Sequence, residues 1–213
     1  MPKAGETFPT LLTRRLRLRQ IEPRDATGLH ACFGDPEAMR FWNFPISGSL
    51  ADTEKTMAWL GKTTSPYDHL AWAIADKAKD QCIGMVNYHH REARNKRLEL
   101  GYFIAPRHQG QGFATEAVQV VLDYCVGRLG VHRVQAFIHP DNRPSIRLVE
   151  RLGFRCEGGP LTDYWCVGDR YMSTMLYAFV PRAEGGVSRE SAHAKAGSKH
   201  RHGRPRKTGR PGA

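Results

Sequence analysis

This 213-residue sequence contains no long apolar run. A membrane-spanning helix needs roughly 18 or more consecutive apolar residues, and no such stretch is present. Residues 1–9 also lack the apolar core of a signal peptide. The sequence therefore predicts a cytoplasmic protein with no membrane partner.

Cysteine is sparse and irregularly placed. The five cysteines are odd in number and widely spaced, without a C-x-x-C pair, which is typical of reduced thiols rather than of a disulfide framework or a zinc site. The histidines show no H-x-x-x-H spacing, and a lone histidine is more often structural or exposed than a ligand. We therefore expect no metal site. This interpretation includes His89, His90, His108 and His139.

Negative charge is scarce, and the imbalance is concentrated at one end of the chain. The net charge is +11, and residues 182–213 contribute +7 of it, because they hold nine Lys or Arg and only two Glu. The other 181 residues therefore carry +4. After Pro181 the apolar periodicity stops and Gly, Ser, His and basic residues dominate, which is typical of disorder. The sequence predicts one domain over 1–181 and a basic, disordered tail over 182–213.

The tail contains the tripeptide Gly-Arg-Pro twice, at 203–205 and 209–211. It resembles the core of an AT-hook, a short arm that places arginines in the minor groove of A·T-rich DNA. A solvated cationic tail that binds any polyanion weakly, ribosomal RNA included, accounts for the same residues. We favour this second alternative.

Residues 98–117 hold the most informative pattern. An alternating strand runs from Leu98 to Ala105 and ends at Pro106, and a helical pattern begins at Gly112. The loop between them contains two glycines and an arginine. The first N–H groups of a helix favour an anion, and glycine lets a ligand approach the backbone closely. The loop lacks both the G-x-G-x-x-G nucleotide fingerprint and the Gly-Lys-Ser/Thr of a P-loop. The alternative to an anion site is a loop whose glycines only form a turn.

The rest of the chain alternates between helical and extended patterns. A strand is predicted over Arg14–Gln20, followed by helical segments that carry Leu29, Met39 and Leu60. Leu70–Ala75, Cys82–His89 and the strand from Leu98 predict an antiparallel meander. The remaining predicted elements are a helix from Gly112, a strand over Arg133–His139, a helix over Asn142–Leu152, and two strands over Tyr164–Val167 and Met172–Phe179.

The loop matches R-x-x-G-x-G/A, which resembles the acetyl-CoA pyrophosphate loop of the GNAT N-acetyltransferase superfamily. Further segments resemble its RimJ/RimL branch: Leu12–Arg19, Asp35–Met39, Glu99–Tyr102, and N-x-x-S from Asn142 with Glu150 and Gly153-Phe154. Ser173 departs from the pattern, since related sequences often carry Asp there. The resemblance spans about residues 10–180 and implies an α/β (α+β) GNAT fold: a mixed, mostly antiparallel sheet, splayed at the cofactor strand and flanked by helices.

The resemblance also implies residue roles. Glu99 is the predicted general base, acting through water, and an exposed strand carboxylate paired with Arg97 is the alternative. Ser145 is the predicted acid toward the leaving thiolate, although a place in the first turn of a helix capped by Asn142 explains it equally well. Tyr102 is interpreted as core. The predicted acetyl-CoA contacts are Phe103 and Ile104 through backbone N–H at a bulge, the loop residues Arg107, Gln109, Gly110, Gly112 and Ala114, and Asn142.

Two classes of function remain at this stage. The first is an acetyl-CoA-dependent N-acetyltransferase that acts on a primary amine, such as a protein N-terminus, a polyamine or an antibiotic. The second is an acetyl-CoA-binding protein that contacts nucleic acid through the basic tail. The acceptor cleft of this fold is lined by its N-terminal helices and last strands, where Phe41, Trp42, Tyr164 and Trp165 are candidates, although core packing would explain them equally well.

Overall fold

The computed structural model describes residues 8–61 and 69–181. Its centre is an eight-stranded sheet in the order β1-β2-β3-β4-β5-β6-β8-β7. The strands are β1 (Leu11–Leu12), β2 (Leu16–Gln20), β3 (Leu70–Asp76), β4 (Cys82–Glu92), β5 (Arg97–Ile104), β6 (Arg133–Ile138), β7 (Arg155–Val167) and β8 (Arg170–Phe179). The helices are α1 (Ala26–Phe33), α2 (Leu50–Gly61), α3 (Phe113–Asp123) and α4 (Arg143–Arg151). The predicted tail lies outside the described residues.

The sheet is antiparallel except where β5 meets β6. Strands β3, β4 and β5 form the predicted meander. Parallel pairing of β5 with β6 covers only Arg97–Glu99 opposite Arg133–Gln135, and the described strands show no further pair between them. The two strands therefore separate after Glu99. This splayed, mixed α/β sheet confirms the predicted fold class.

Helices cover both faces of the sheet, and each face has its own core. Val118 and Val121 of α3 and Val149 of α4 are buried against one face together with Trp72. On the other face, α1 and α2 pack over small residues such as Ala73. This two-sided burial explains why β3 is apolar from Leu70 to Ala75 instead of alternating.

An ion-pair network ties α1 to the edge of the sheet. The Arg19 guanidinium donates to both carboxylate oxygens of Asp25, at 2.7 and 2.9 Å, and both side chains are buried. Asp80 joins the network by accepting from Arg19 Nε at 3.2 Å and from Arg24 at 2.7 Å. The bidentate geometry compensates for the desolvation of the buried pair.

Some local predictions require correction. Residues 36–41 form successive turns rather than a helix, and they are held by isolated backbone hydrogen bonds, such as that from the Met39 N–H to the Asp35 carbonyl at 3.0 Å. The last two strands are longer than predicted, and the helix from Phe113 continues into a π-helical turn over Tyr124–Arg128. No helix within the described ranges is both long and apolar enough to cross a membrane. The five cysteines, all within those ranges, are unpaired.

Candidate active site

A cleft opens where β5 and β6 separate. Leu100, Gly101 and Tyr102 of β5 line one side, and residues 136–139 at the end of β6 line the other. The floor and walls include Glu99, Asn142 and Ser145, which the sequence singled out. The structure therefore brings both predicted catalytic residues into one cleft.

Glu99 lies between two histidines. Its Oε2 atom is 3.4 Å from His89 Nε2 and 3.2 Å from His90 Nδ1. The Glu99 side chain is 22% exposed, so it is sheltered but reachable from the cleft. The predicted alternative partner, Arg97, pairs instead with Glu92 at 2.7 Å. The hypothesis of an ordinary surface ion pair with Arg97 is therefore wrong.

A bulge in β4 explains how two consecutive histidines reach the same carboxylate. In a regular strand, neighbouring side chains point to opposite faces of the sheet. The register between β4 and β5 shifts between His89 and Glu92, and His90 has a φ of 48°, in the left-handed region. The resulting turn of the backbone places both imidazoles beside Glu99. Bulges commonly redirect side chains near active sites in this way.

The histidines also set the charge of Glu99. Burial alone would raise the pKa of Glu99, but hydrogen bonds and electrostatic interactions with His89 and His90 outweigh burial, so the pKa is lowered from its ordinary value. Glu99 is therefore a carboxylate at neutral pH. No other acidic residue and no Lys or Arg is among the described residues that line the cleft. Glu99 is thus the carboxylate that an acceptor amine can meet in this cleft.

Two hydroxyl groups meet among the residues that line the cleft. Tyr102 Oη lies 2.8 Å from Ser145 Oγ. Burial raises the pKa of Tyr102 to about 12, although the Ser145 hydrogen bond opposes this, and the phenol therefore stays protonated at neutral pH. Tyr102 packs against the core as predicted, yet its hydroxyl lines the cleft, so its interpretation as core alone is incomplete.

Asn142 caps α4. Its side-chain oxygen accepts the backbone N–H of Ser145 at 3.3 Å. Ser145 therefore lies in the first helical turn, as the structural alternative predicted, while its hydroxyl remains directed at Tyr102. The structural alternative for Ser145 is therefore confirmed, and its role as the acid stays a prediction.

The loop before α3 has the shape of an anion site. Gly110 and Gly112 have φ values of 74° and 78°, which side chains other than glycine rarely adopt. Gly112 is the N-cap residue, and no side chain caps the helix there. Gln109 braces the loop by donating to the Ile104 carbonyl at 2.9 Å, and Ala114 packs partly into the core. The first N–H groups of α3 are thus left for a ligand.

Arg107 is exposed beside the loop, and its contact with a pyrophosphate stays a prediction. Its exposed guanidinium donates to His108 Nε2 at 3.0 Å and lines a second hollow with Arg24, Asp25 and Asp80. Sequence reasoning missed Arg15, whose side chain approaches the Cα of Gly112 and donates to the Gln111 carbonyl at 2.9 Å. Glu116 pairs with Arg15 at 2.7 Å, so that charge is partly compensated.

Phe103 and Ile104 are buried at the end of β5. The bulge expected at these two residues is absent from the pairing with β4, since that register runs without a shift from Ile104 to Glu99. The irregularity lies on β4 instead. The strand edge is opened by the departure of β6, since among the described strands none pairs with the backbone beyond Glu99 on that side.

Aromatic residues form the walls of the cleft. Phe137 stacks on Tyr164 at 5.1 Å between ring centroids, and Phe41 lies 5.0 Å from the His139 ring. Trp42 and Trp165 complete the lining. The four aromatic residues that the sequence left undecided therefore all reach the cleft.

The sequence matches the family model described as "Acetyltransferase (GNAT) domain" over residues 15–155. The chain belongs to the GNAT acetyltransferase family. The uncharacterized N-acetyltransferase YoaA of Bacillus subtilis is 31% identical over 177 residues, covering 83% of this chain and 99% of YoaA. The protein is an acetyl-CoA-dependent N-acetyltransferase, and the prediction of an enzyme is confirmed.

Solved GNAT structures share the fold. Spermidine N-acetyltransferase from Vibrio cholerae, solved with CoA and spermine, superposes with a TM-score of 0.67 at 24% identity, covering 79% of this chain and 96% of that one. RimL, the ribosomal L7/L12 α-N-protein acetyltransferase, has a TM-score of 0.71 at 19% identity, with coverage of 85% and 99%.

The residues of this GNAT chain fit acetyl-CoA. The uncapped N-terminus of α3 suits a pyrophosphate, and the open edge of β5 suits a ligand that carries amide groups. Histidines 89 and 90, like Arg15, belong to the site and were missed by sequence reasoning. The sequence signal for the two histidines was that β4 lies beside the cofactor strand in the predicted meander. Strand alternation places the side chains of two adjacent histidines on opposite faces of the sheet, so it did not predict that both would reach the cleft.

Proposed function

We propose that this GNAT enzyme acetylates the primary amine of a peptide or protein N-terminus, as expected for a RimJ/RimL-like enzyme. The observation that carries the proposal is Glu99, a lone ionised carboxylate in an aromatic-walled cleft beside the opening in the sheet. An α-ammonium group placed there meets one negative charge. The residue beside it meets apolar walls.

Glu99 serves as the general base. The incoming amine must lose a proton before it can attack a carbonyl carbon, and a carboxylate within reach, directly or through one water molecule, can accept it. The imidazoles of His89 and His90 hold the carboxylate in place, because they approach the same oxygen at 3.4 and 3.2 Å. Positioning of this kind reduces the entropy lost during reaction.

Ser145 and Tyr102 serve the leaving group. Bound acetyl-CoA supplies the acetyl group, and its thiolate needs a proton or a hydrogen bond as it departs. The two hydroxyls are 2.8 Å apart and line the same cleft, so one can donate to the thiolate while accepting from the other. In our assignment Ser145 is the donor and Tyr102 supports it.

The cofactor would be held mainly by backbone groups. Residues 109–114 offer the turn and the helix N-terminus to the pyrophosphate, and Phe103 and Ile104 lie on the open strand edge. Asn142 holds the first turn of α4, which carries Ser145. Arg107 contributes positive charge near the loop.

The lining argues for an acceptor with a single ammonium group. A polyamine carries several positive charges, each of which is stabilised best by its own acidic partner. Among the described residues of the cleft, Glu99 is the single carboxylate, and six aromatic side chains line the cleft with it, namely Phe41, Trp42, Tyr102, Phe137, Tyr164 and Trp165. An N-terminal residue with an apolar side chain fits these walls, which also favour its ammonium through cation–π attraction.

The test is release of free CoA thiol from acetyl-CoA with a panel of acceptors. The panel contains peptides with Ala, Ser and Met N-termini, the same peptides with blocked N-termini and a lysine, spermidine, and an aminoglycoside. We expect turnover on free N-termini and none on the blocked peptides. Turnover confined to spermidine or the aminoglycoside would replace this proposal with a small-molecule acetyltransferase.

A further inference from the structure

The three side chains at the mouth of the cleft have a second chemical capacity. His89, His90 and Glu99 each offer one ligand atom, and these three atoms lie within 4.8 Å of one another. Two imidazoles and one carboxylate are a donor set that binds zinc in proteins. The β4 bulge is what points all three groups at one place, so the cluster comes from the backbone path and not from a sequence spacing.

The distances suit a small metal ion. Two ligands of a tetrahedral zinc, each about 2.0–2.1 Å from the metal, lie about 3.3–3.4 Å apart. The Glu99 oxygen is 3.4 Å from His89 Nε2 and 3.2 Å from His90 Nδ1. His90 is 75% exposed, so its ring can adjust to complete the third edge.

The buried side-chain amide of Asn87 lies beside His89, within reach of the ring nitrogen that does not face Glu99. Metal-binding histidines usually donate their other ring N–H to an oxygen atom, which fixes the tautomer. Asn87 is 7% exposed, its Nδ2 lies 3.4 Å from His89 Nδ1, and its Oδ1 has no hydrogen-bond partner among the described residues. A half-turn of the amide places that oxygen against His89 Nδ1–H and leaves the Nε2 lone pair free for a metal.

We propose that His89, His90 and Glu99 form a zinc-binding site whose occupation inhibits acetyl transfer. Zinc bound to Glu99 removes the carboxylate that the acceptor ammonium needs, and this inhibitory effect rests on the role of Glu99 in the proposed function. Zinc therefore competes with the acceptor amine and not with acetyl-CoA. Mg²⁺ and Ca²⁺, which prefer all-oxygen sites, do not replace it.

Direct metal binding tests the site without any turnover. Zinc affinity of the full-length protein is measured by competition with a chromophoric chelator, in the wild type, in His90→Asn and in His132→Asn. Asparagine is tolerated in the left-handed region, so it preserves the backbone of His90 while removing the ring. His132 is an exposed histidine outside the cleft and is the matched control. The exposed thiols of Cys156 and Cys166 contribute the same background in all three proteins.

We expect His90→Asn to bind zinc at least about tenfold more weakly than the wild type, since even outer-shell changes cost that much. His132→Asn should match the wild type. Equal affinity in wild type and His90→Asn would overturn the site. Circular dichroism of each variant establishes that the fold is retained.

Inhibition is then measured on an amine that the enzyme acetylates. Zinc should raise the KM for the amine, leave the KM for acetyl-CoA unchanged, and be reversed by EDTA. Zinc bound at this site with no change in the KM for the amine would overturn the inhibitory role. If no amine on the panel is acetylated, the proposed function fails, while the chelator competition still decides whether the site exists.

Discussion

Replacing Glu99 with glutamine separates charge from shape in the cleft. Glutamine has the same size, and its carbonyl oxygen can still accept a hydrogen bond from one of the two histidines, at 3.4 or 3.2 Å in the native protein. What is lost is the negative charge and the ability to accept a proton. The substitution therefore tests the general base with little change in packing.

The expected loss is large because no other carboxylate lines the described part of the cleft. A general base contributes about 10²–10⁴ in rate. At about 1.36 kcal/mol for each factor of ten, this corresponds to roughly 2.7–5.4 kcal/mol of barrier height. We expect kcat/KM for the amine to fall by this factor. The KM for acetyl-CoA should be unchanged, since Glu99 makes no predicted contact with it.

The assay is thiol release under saturating acetyl-CoA, with the thiols of the protein subtracted and a chelator present so that bound metal does not obscure the comparison. Glu157→Gln is the matched control, since Glu157 is paired with Arg133 outside the cleft. Its rate should equal that of the wild type. Thermal unfolding of both variants should change little, because partly exposed ion pairs contribute about 0–1 kcal/mol.

One result would refute the reasoning. If folded Glu99→Gln turned over at the wild-type rate, the proton of the amine would have to leave by another route, and Glu99 would not be the base. If Glu99→Gln loses activity because it no longer folds, the variant does not test the base. The midpoint of thermal unfolding distinguishes an unfolded variant from a folded one.

Three further outcomes follow from the geometry. Ser145→Ala should lower kcat without raising the KM for acetyl-CoA. Tyr102→Phe should lower kcat less, since Tyr102 only supports the proton donor Ser145. Single-turnover rates of the two variants check which loss is larger, and a larger loss in the tyrosine variant would exchange the two roles. Gly101→Ala places a Cβ 2.7 Å from the side-chain oxygen of buried Asn87 and should lower the free energy of unfolding by about 1–3 kcal/mol. Gly61→Ala is the control, since its Cβ meets no described atom within 4 Å, and it should not lower the free energy of unfolding. Calorimetry of both variants measures the difference. The pKa of Asp80 is lowered because hydrogen bonds and charge from two arginines outweigh its desolvation. The contribution of Asp80 to the free energy of unfolding, at most about 1 kcal/mol, is therefore present at neutral pH and lost as pH falls through the lowered pKa. Asp80→Asn should unfold at a lower temperature than the wild type at pH 7, and an equal difference at acid pH would contradict this.

Local patterns predicted the central part of the molecule well. The strand ending at Ile104, the loop with Gly110 and Gly112, and the apolar stripe of α3 depend on neighbours in the chain, and the structure has them as expected. Cys125, in the π-helical turn that follows α3, is fully buried. Alternation and helical period are properties of short segments, so a sequence suffices for them.

The histidine pair could not be predicted by the same rules. Strict alternation places His89 and His90 on opposite faces, and only the bulge and the left-handed backbone of His90 reverse this. A bulge depends on how two strands far apart in the chain are paired. The hydrogen bond of Tyr102 to Ser145 is likewise a contact between residues 43 positions apart, and no local pattern encodes it.

The short pairing of β5 with β6 also links substrate binding to folding stability. Beyond Glu99, β5 presents main-chain groups that no strand in residues 8–61 and 69–181 pairs with on the β6 side, and main-chain groups are the same whatever side chains the sequence carries. A ligand that pairs with this edge extends the sheet as an added strand would. Such a ligand binds the native state alone and adds about 2.7 kcal/mol of stability at a hundred times its Kd. The resistance of this enzyme to heat and proteolysis should therefore follow the supply of its own cofactor.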